Sequence, residues 1–310
     1  MHGFLNIIKP PGMTSFDVIR FLKKEKGKLK IGHTGTLDPG AAGVLPLCLG
    51  RATRVAEYIT GTVKRYRGEI TLGIVTDTLD GEGVVLQKNK TPAPSKEKLE
   101  EVFASLTGVI KQVPPRYSAV KVKGKPLYEY AREGEEVKAA SREVEVYFWK
   151  VEEIIPGDFP RVLFEVECSS GTYVRSLAMQ AGENLGCGAY LSFLLREKSG
   201  PFTLEDAVTL EQLKEADRQS VKKYLISIEH GISFMPEVTV KEEGLKLLNN
   251  GNELEPAHLE IEEILKGINL AEEKGPFRIY DPEKSLRAIG YWQKKGDRLK
   301  LRPHKVLFGG

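Results

Sequence analysis

The chain changes character within residues 32–50, which read GHTGTLDPGAAGVLPLCLG. The first part is rich in glycine and polar side chains and the second is an apolar run, so the segment predicts a polar loop joined directly to a buried segment. Pro39 biases Asp38 towards an extended backbone, and the glycines allow the chain to run close to a ligand. The carboxylate of Asp38 would then project from a fixed base. An Asp-Pro-Gly sequence is also compatible with an ordinary turn.

The sequence on either side of this segment predicts strands and helices in irregular order. We expect strands at residues 4–8, 66–75, 117–122, 142–155 and 161–168. We expect helices at residues 14–26, 51–60, 95–107, 173–184 and 211–219. Because no β-α-β unit repeats, the pattern favours an α+β fold with a largely antiparallel sheet.

The last quarter of the chain reads as a separate unit. The change lies between residues 220 and 236, and we divide the chain into a first domain at 1–235 and a second at 236–310. Residues 238–250 of the second domain predict a helix. Alternating stretches predict the strands of a small β-barrel at residues 277–281, 286–291 and 298–303.

Composition excludes several classes of protein. The 310 residues are 41% apolar and 29% charged, which is typical of a folded chain with about two domains. Cys48, Cys168 and Cys187 are odd in number and form no C-x-x-C pair, so we expect neither a disulfide framework nor a zinc site. We see no secretion signal and no apolar stretch of the roughly 18 residues that a membrane span needs, and therefore expect a cytoplasmic protein.

Motifs for nucleotide, hydrolase and metal chemistry are missing from the sequence. The chain contains no G-x-x-x-x-G-K-[ST], no G-x-G-x-x-G after a strand, and no G-x-S-x-G or H-E-x-x-H. Asp77 and Asp80 lack the alternating carboxylates of a calcium loop, and we interpret them as caps of a turn between strands. Nucleotide-driven chemistry therefore has no support in the sequence.

Positive charge is concentrated at both ends of the chain, although the formal net charge is only +3. Residues 1–30 carry seven Lys and Arg against two acidic residues, and residues 287–310 carry seven against one. Such clusters could bind phosphates by releasing counterions from a nucleic acid, or could form a solvated charged surface. Charge alone leaves both interpretations open.

Several short motifs resemble, in the same order, those of the TruB family of tRNA pseudouridine synthases. Residues 32–39 and 42–45 are similar to the segment around the catalytic aspartate of that family. The other matches within residues 3–200 are KPPGMTS (9–15), KRY (64–66), TDTLD (76–80), PPRYSA (114–119) and GTYVR (171–175). The tail from residue 236 resembles a PUA domain, which is a small RNA-binding barrel.

The resemblance implies a pseudouridine-synthase fold, with a mainly antiparallel mixed sheet and flanking helices, followed by the PUA domain. It implies isomerisation of uridine 55 in the T-loop of tRNA: the N1–C1′ bond breaks, the uracil turns in place, and C5 joins the ribose. Because the reaction involves no net redox change or hydrolysis, we expect no cofactor and no metal. The target base must be flipped out of the folded loop. The expected partner is the tRNA T stem-loop, and we expect neither a membrane nor a nucleotide cofactor to take part. We expect the protein to be a monomer.

The resemblance also assigns the central residues of the site. Asp38 would be the catalytic residue, acting as a nucleophile or base at C6 of uracil, at C1′ or at the 2′ carbon. Arg175 would pair with this carboxylate and fix its direction. The sequence does not choose among the three atoms.

Four further residues would contact the substrate by resemblance. Tyr66 would stack on the flipped base and is a candidate for removing the C5 proton, while His33 would occupy the space that the base leaves. Tyr173 and Leu194 would line the same pocket. The alternatives are core packing for Tyr66 and Leu194, and an ordinary hydrogen-bonded loop position for His33.

Lysines and arginines near the loop and in the tail are candidates for contacts with RNA phosphates, which position a protein rather than specify sequence. These candidates are Lys23, Lys24, Lys28, Lys30, Arg298, Lys300, Arg302 and Lys305. At residues 191–196 the chain departs from a more basic version of the family motif, because Leu195 precedes Arg196. One phosphate contact near this point is therefore in question.

Two other functions fit parts of the pattern. A non-catalytic tRNA-binding chaperone or scaffold would explain the basic ends, but not the presence of Asp38, Tyr66 and Arg175 together. A glycoside hydrolase would need paired carboxylates, and we find no second carboxylate in a matching motif beside Asp38.

Overall fold

Two mixed β-sheets form the framework of the chain in the computed structural model, which describes residues 1–27, 29–137, 139–217, 219–260, 275–295 and 298–307. The strands are β1 (Gly3–Lys9), β2 (Ile31–His33), β3 (Ala42–Leu49), β4 (Lys64–Leu72), β5 (Ile74–Thr76), β6 (Val85–Lys88), β7 (Gly108–Gln112), β8 (Lys121–Val122), β9 (Lys125–Pro126), β10 (Arg142–Ile155), β11 (Arg161–Cys168), β12 (Ala189–Ser199), β13 (Phe202–Thr203), β14 (Glu237–Val240), β15 (Leu259–Glu260), β16 (Pro276–Tyr280), β17 (Leu286–Lys295) and β18 (Arg298–Val306). The α-helices are α1 (Ser15–Lys26), α2 (Ala56–Thr60), α3 (Lys96–Ser105), α4 (Leu127–Arg132), α5 (Val174–Asn184), α6 (Leu210–Glu215), α7 (Ile228–Gly231) and α8 (Glu242–Asn249). Short 3₁₀ helices lie at Gly50–Arg54, Ser220–Tyr224 and Pro256–His258.

The larger sheet has the strand order β1-β3-β12-β4-β11-β10-β7, with β2 beside β3 and β13 beside β12. Its strands pair antiparallel, except that β12 meets β3 in parallel where Leu195 pairs with Ala42 and Arg196 with Gly43. Strand β2 pairs with the other end of β3. The loop that joins β2 to β3, residues 34–41, is therefore next to β12, and we call it the Asp38 loop.

Strands β1 and β3 are buried on both faces, which explains the unbroken apolar run in β3. Leu45 and Leu47 share a core cluster with Leu22 of α1 and Leu213 of α6. Val44 belongs to a different cluster, with residues of α7 and of the tail. Burial on both faces holds the strand that leaves the Asp38 loop in place.

Helices α3 and α5 pack on the half of the sheet formed by β4, β10, β11 and β12. The rings of Phe103 and Trp149 stack with centroids 3.8 Å apart, and Leu177 of α5 is fully buried in the same cluster. This packing fixes α5, whose first turn carries Arg175.

The tail forms a second sheet with the strand order β15-β14-β16-β17-β18. Tyr280 and Ile289 of this sheet share a core cluster with Phe4 of β1, and Lys305 pairs with Glu57 at 3.1 Å. The α+β fold with a mainly antiparallel mixed sheet and a PUA-like tail is confirmed. The domain boundary at residue 236 stays a prediction, since the two sheets share a core cluster.

Most predicted elements are present, and two differ from the prediction. The strands at 142–155 and 161–168 have the expected bounds. The single helix predicted at 238–250 is wrong, because Val238 and Val240 are buried in strand β14 and only Glu242–Asn249 is helical. Of the strand predicted at 117–122, only the last two residues pair with another strand.

Within the described ranges no helix combines the length and apolarity needed to cross a membrane.

Candidate active site

The Asp38 loop presents the Asp38 carboxylate to a cleft. The side chain is 38% exposed, and its backbone carbonyl accepts a hydrogen bond from Ala41 N–H at 3.1 Å, which closes a turn around Pro39. The ordinary turn with which Asp-Pro-Gly is compatible is therefore present, and it coexists with the projecting carboxylate.

Arg175 binds the carboxylates on this side of the loop. Its Nε lies 2.8 Å from Oδ2 of Asp38, and its Nη1 lies 3.4 Å from Oδ2 of Asp80. The Nε–H is not aligned to donate a hydrogen bond, so the contact with Asp38 is an ion pair. The guanidinium also donates to the carbonyls of Thr78 at 3.0 Å and Tyr117 at 2.9 Å. We call Asp38, Asp80 and Arg175 the carboxylate side of the loop.

Lys9 holds the loop from the opposite side. The Lys9 side chain is fully buried, and its Nζ donates to the carbonyls of Pro10 at 2.9 Å, Met13 at 2.6 Å and Pro39 at 3.0 Å. Burial lowers the pKa of Lys9 to about 8, and the nearby Asp38 carboxylate opposes that shift. The KPPG segment is thereby tied to the residue that follows Asp38.

Ser15 and Gly12 make two further backbone contacts. Ser15 Oγ accepts from Leu37 N–H at 2.9 Å and donates to Leu37 C=O at 3.2 Å. Gly12 N–H donates to Pro39 C=O at 2.9 Å. The residues on both sides of Asp38 are therefore fixed by the start of α1 and the segment before it.

Arg196 is a functional candidate that the sequence reasoning missed. It is 2% exposed, and its guanidinium donates to the carbonyls of Gly35 and Thr36 at 3.2 Å each and of Val44 at 2.7 Å. A Cβ at Gly43, where φ is +108°, would lie 2.2 Å from the Arg196 carbonyl, so only glycine allows the two strands to approach this closely. We call Lys9, Ser15 and Arg196 the carbonyl side of the loop.

The carboxylate side opens into a cleft of about 250 Å³. Part of the lining is polar, and β12 contributes the apolar side chains of Leu191 and Leu194, which are 4% and 8% exposed. The full lining is Asp38, Gly40, Ala41, Asp80, Gly81, Glu82, Arg175, Leu191, Ser192, Phe193 and Leu194. A planar ring with polar edges suits such a cleft, since it can rest on the apolar wall and face the carboxylate.

Leu194 and Tyr66 illustrate two degrees of access to the cleft. Leu194 lines it, whereas Tyr66 is 9% exposed and belongs to the core cluster that contains Leu37, Ala41 and Leu194. Burial raises the pKa of Tyr66 to about 12; the charge of Arg196 opposes this rise, and the charge of Asp38 adds slightly to it. Tyr66 is therefore buried in the same core cluster as Leu37, the residue before Asp38, and it is protonated at neutral pH.

His33 and Tyr173 are near the cleft but do not line it. His33 ends β2, and its Nδ1 accepts from Gly35 N–H at 3.3 Å. Burial, assisted by the charge of Arg196, lowers the pKa of His33, so the imidazole is neutral at pH 7. Tyr173 precedes α5, and the Arg142 guanidinium lies 4.8 Å from its ring centroid. Their predicted substrate contacts stay predictions.

The candidates for phosphate contacts fall into two groups. Lys23, Lys24, Lys30, Arg298 and Arg302 are exposed, whereas Lys300 pairs with Glu253 and Glu255, and Lys305 pairs with Glu57. Lys28 lies outside the described residues. The ion pairs make Lys300 and Lys305 weaker candidates than the exposed cations.

A second carboxylate does accompany Asp38, which corrects one sequence inference. Asp80 caps its turn as expected, because Oδ1 accepts from Thr78 Oγ1 at 2.5 Å and from Glu82 N–H at 3.1 Å. Its Oδ2 also faces Arg175. Both Asp80 and Arg196 belonged to motifs that the sequence presented, but only the fold brings them to the loop. In the described part of the chain, no group of three or more His, Cys, Asp or Glu is arranged to hold a metal ion.

Comparisons with known proteins agree with this geometry. Residues 20–174 match the TruB family pseudouridylate synthase N-terminal domain, and residues 175–233 match the tRNA pseudouridylate synthase B C-terminal domain. A tRNA pseudouridine synthase B of Geobacillus thermodenitrificans is 43% identical over 93% of this chain and 94% of its own length. One of Clostridium acetobutylicum is 40% identical over 96% of this chain and 98% of its own.

Solved structures show the same fold. A chain in the crystal structure of a Cbf5-Nop10-Gar1 complex superposes with a TM-score of 0.75 at 27% identity, covering 99% of this chain and 85% of that one. A chain of the archaeal box H/ACA sRNP Nop10-Cbf5 complex gives 0.73 at 25% identity, covering 99% and 86%. The matches to the two curated relatives span most of this chain and most of each relative, and the two family domains match residues 20–233. The chain therefore belongs to the TruB family of pseudouridylate synthases.

Proposed function

We propose that this chain isomerises uridine to pseudouridine in tRNA, at position 55 of the T-loop, with Asp38 as its catalytic residue. The observation that carries the proposal is the Asp38 carboxylate, held 2.8 Å from a buried guanidinium at the edge of a cleft with an apolar wall. The relatives named tRNA pseudouridine synthase B support tRNA as the substrate.

The reaction needs a positioned carboxylate and little else. The N1–C1′ bond breaks, a C5–C1′ bond forms, a proton leaves C5, and N1 takes up a proton. The ion pair with Arg175 aims an ionised Asp38 carboxylate at the bound nucleotide, where it acts as a nucleophile or base. Leu194 supplies an apolar surface against which the uracil can turn, and Tyr66 packs in the same core cluster as Leu194.

A uracil in a folded RNA loop reaches Asp38 only after base flipping, which costs on the order of a few kcal/mol. We propose that stacking in the cleft and phosphate contacts offset this cost. Exposed cations of α1, of the segment between α1 and β2, and of the tail, among them Lys23, Lys30, Arg298 and Arg302, would hold the RNA backbone of the T stem-loop. We further propose a monomer that acts in the cytoplasm, with residues 236–310 serving as the RNA-binding PUA domain.

Tritium release tests the proposed reaction. A T-loop transcript labelled at C5 of its uridines should release one equivalent of tritium and yield pseudouridine on nuclease digestion. Asp38→Asn should lower kcat by more than about 10⁴-fold with the Kd for RNA nearly unchanged, because the variant keeps its shape and loses a catalytic charge. Asp158→Asn is the matched control, because the Asp158 side chain is exposed, forms a surface ion pair with Lys90 and does not line the cleft.

Two results would contradict the proposal. Release of free uracil would indicate hydrolysis of the glycosidic bond, and binding without tritium release by the unmodified chain would indicate a scaffold. A transcript with cytidine at position 55 tests the site of modification, and undiminished tritium release from it would exclude that position.

A further inference from the structure

Phe193 is a large apolar side chain left exposed at the cleft. It is 47% exposed, whereas Leu191 and Leu194 on the same strand are 4% and 8% exposed. All three line the cleft that contains Asp38. Among the described residues, no aromatic ring or cation is stacked on Phe193.

A β-bulge produces this exposure. Along β12 and β4, Leu191 pairs with Ile70 while Phe193 pairs with Glu69, so Ser192 is an extra residue. The Ser192 hydroxyl lies 3.0 Å from the Glu69 carbonyl and 2.8 Å from its carboxylate, and these hydrogen bonds hold the bulge.

The bulge changes which side chains enter the core. In a regular strand, Phe193 would share a face with Leu191, and Leu194 would lie on the other face. Here Leu191 and Leu194 both belong to the main core cluster, and Phe193 lies outside it. The irregularity therefore directs the phenyl ring out of the core and into the mouth of the cleft, and bulges beside active sites often redirect a side chain in this way.

We propose that the Phe193 ring is a stacking platform for a second base of the RNA, one that flanks the flipped target nucleotide. This inference rests on the proposed function, which puts RNA in the cleft. Once the target base has been flipped, a neighbouring base has lost one stacking partner, and an exposed aromatic ring can replace it. Stacking on an aromatic ring tolerates any base, so this contact adds affinity and register without reading sequence.

Substitutions of Phe193 test the stacking contact. Phe193→Ala should raise the Kd for T-loop RNA about tenfold, the loss expected for one base stacked on an aromatic ring, and should change kcat less than threefold. Phe193→Trp should bind the RNA as tightly as the unmodified chain, whereas Phe193→Leu should bind it as weakly as Phe193→Ala. Phe234→Ala is the matched control, because Phe234 is 49% exposed and does not line the cleft.

Abasic RNA identifies the partner of the ring. We would remove the base 5′ of the target in one transcript and the base 3′ of it in another. On one of the two, the unmodified chain should lose about tenfold in affinity, and Phe193→Ala should cause no further loss. The inference is overturned if Phe193→Leu binds like the unmodified chain, if Phe193→Ala has no effect, or if its penalty persists on both abasic transcripts. The Kd values report on Phe193 even without turnover, whereas absent tritium release by the unmodified chain would contradict the proposed function alone.

Discussion

The two sides of the Asp38 loop use buried cations in different ways. On the carboxylate side, Arg175 contacts two acidic side chains and faces the cleft. On the carbonyl side, Lys9 and Arg196 are buried and donate to neutral backbone carbonyls. One side therefore presents charge to a substrate, and the other holds the backbone that carries the charge.

The difference indicates how each side should respond to mutation. A carboxylate held by a guanidinium is aimed by charge, so weakening the pair should affect catalysis first. A buried carbonyl that loses its donor pays a desolvation penalty, so removing Lys9 or Arg196 should affect stability as well. Substitutions at Arg175, Arg196 and Asp80, and the pH dependence that Lys9 confers on stability, can each break this contrast.

Arg175→Met should have the largest effect of the four. It removes the cation between Asp38 and Asp80, so we expect kcat to fall about 10³-fold, the scale for losing a preorganised charged donor. Arg175→Lys should recover part of this loss, since it keeps the charge without the guanidinium geometry. Tritium release under saturating RNA measures the change. A kcat within tenfold of the unmodified chain would mean that Asp38 needs no guanidinium to direct it.

Arg196→Met should lower both stability and activity. Three carbonyls lose their donor, and we expect the free energy of unfolding in urea to fall by about 3 kcal/mol. The loosened loop should lower kcat about 10²-fold, because small displacements of a catalytic group are costly. Arg196→Lys should restore part of both quantities. A stability loss with unchanged kcat would show that the carbonyl side does not position Asp38.

Asp80→Asn should lower kcat about tenfold with little change in stability. Asn keeps the acceptor that caps the turn at Thr78 and Glu82, and it loses only the charge that faces Arg175. We would compare kcat by tritium release and unfolding by urea titration, with Asp77→Asn as the matched control because Asp77 caps the same turn through Val84 N–H. An unfolding free energy lowered by several kcal/mol would assign Asp80 to the framework rather than to the carboxylate side.

The smallest effect concerns the pH dependence of stability. Burial lowers the pKa of Lys9 from 10.5 in the unfolded chain to about 8, so between these values the unfolded chain holds more protons than the folded one. The contribution of Lys9 to the free energy of unfolding therefore rises with pH in this window. Relative to Lys9→Met, we expect a gain of about 1 kcal/mol between pH 8.5 and 9.5 in urea titrations. Lys64, whose pKa burial also lowers to about 8, contributes equally to both proteins. Equal slopes would show that Lys9 does not titrate in the fold.

Elements that depend on signals close in sequence could be predicted, whereas elements and contacts that depend on distant residues could not. Helix α1 was predictable because its capping box at Thr14 and its end at Gly27 are local signals. Strand β14 was not, because Val238 and Val240 fit either a helix or a strand until a neighbouring strand decides. The resemblance of the motifs predicted the pair of Asp38 with Arg175. Neither the periodicity nor the resemblance predicted that Asp80 contacts Arg175, or that Arg196 binds the Asp38 loop.

By itself, the sequence determined the bend at Asp38-Pro39 and the buried strand that follows it, since proline, glycine and apolar runs restrict the chain locally. The motifs determined the family. Only the tertiary structure decided which groups surround the carboxylate, because these contacts join distant positions; Arg196 and the Thr36 carbonyl are 160 residues apart. It also decided that Phe193 faces the cleft, since one extra residue in a strand reverses the side-chain alternation and shows only when the strands are paired.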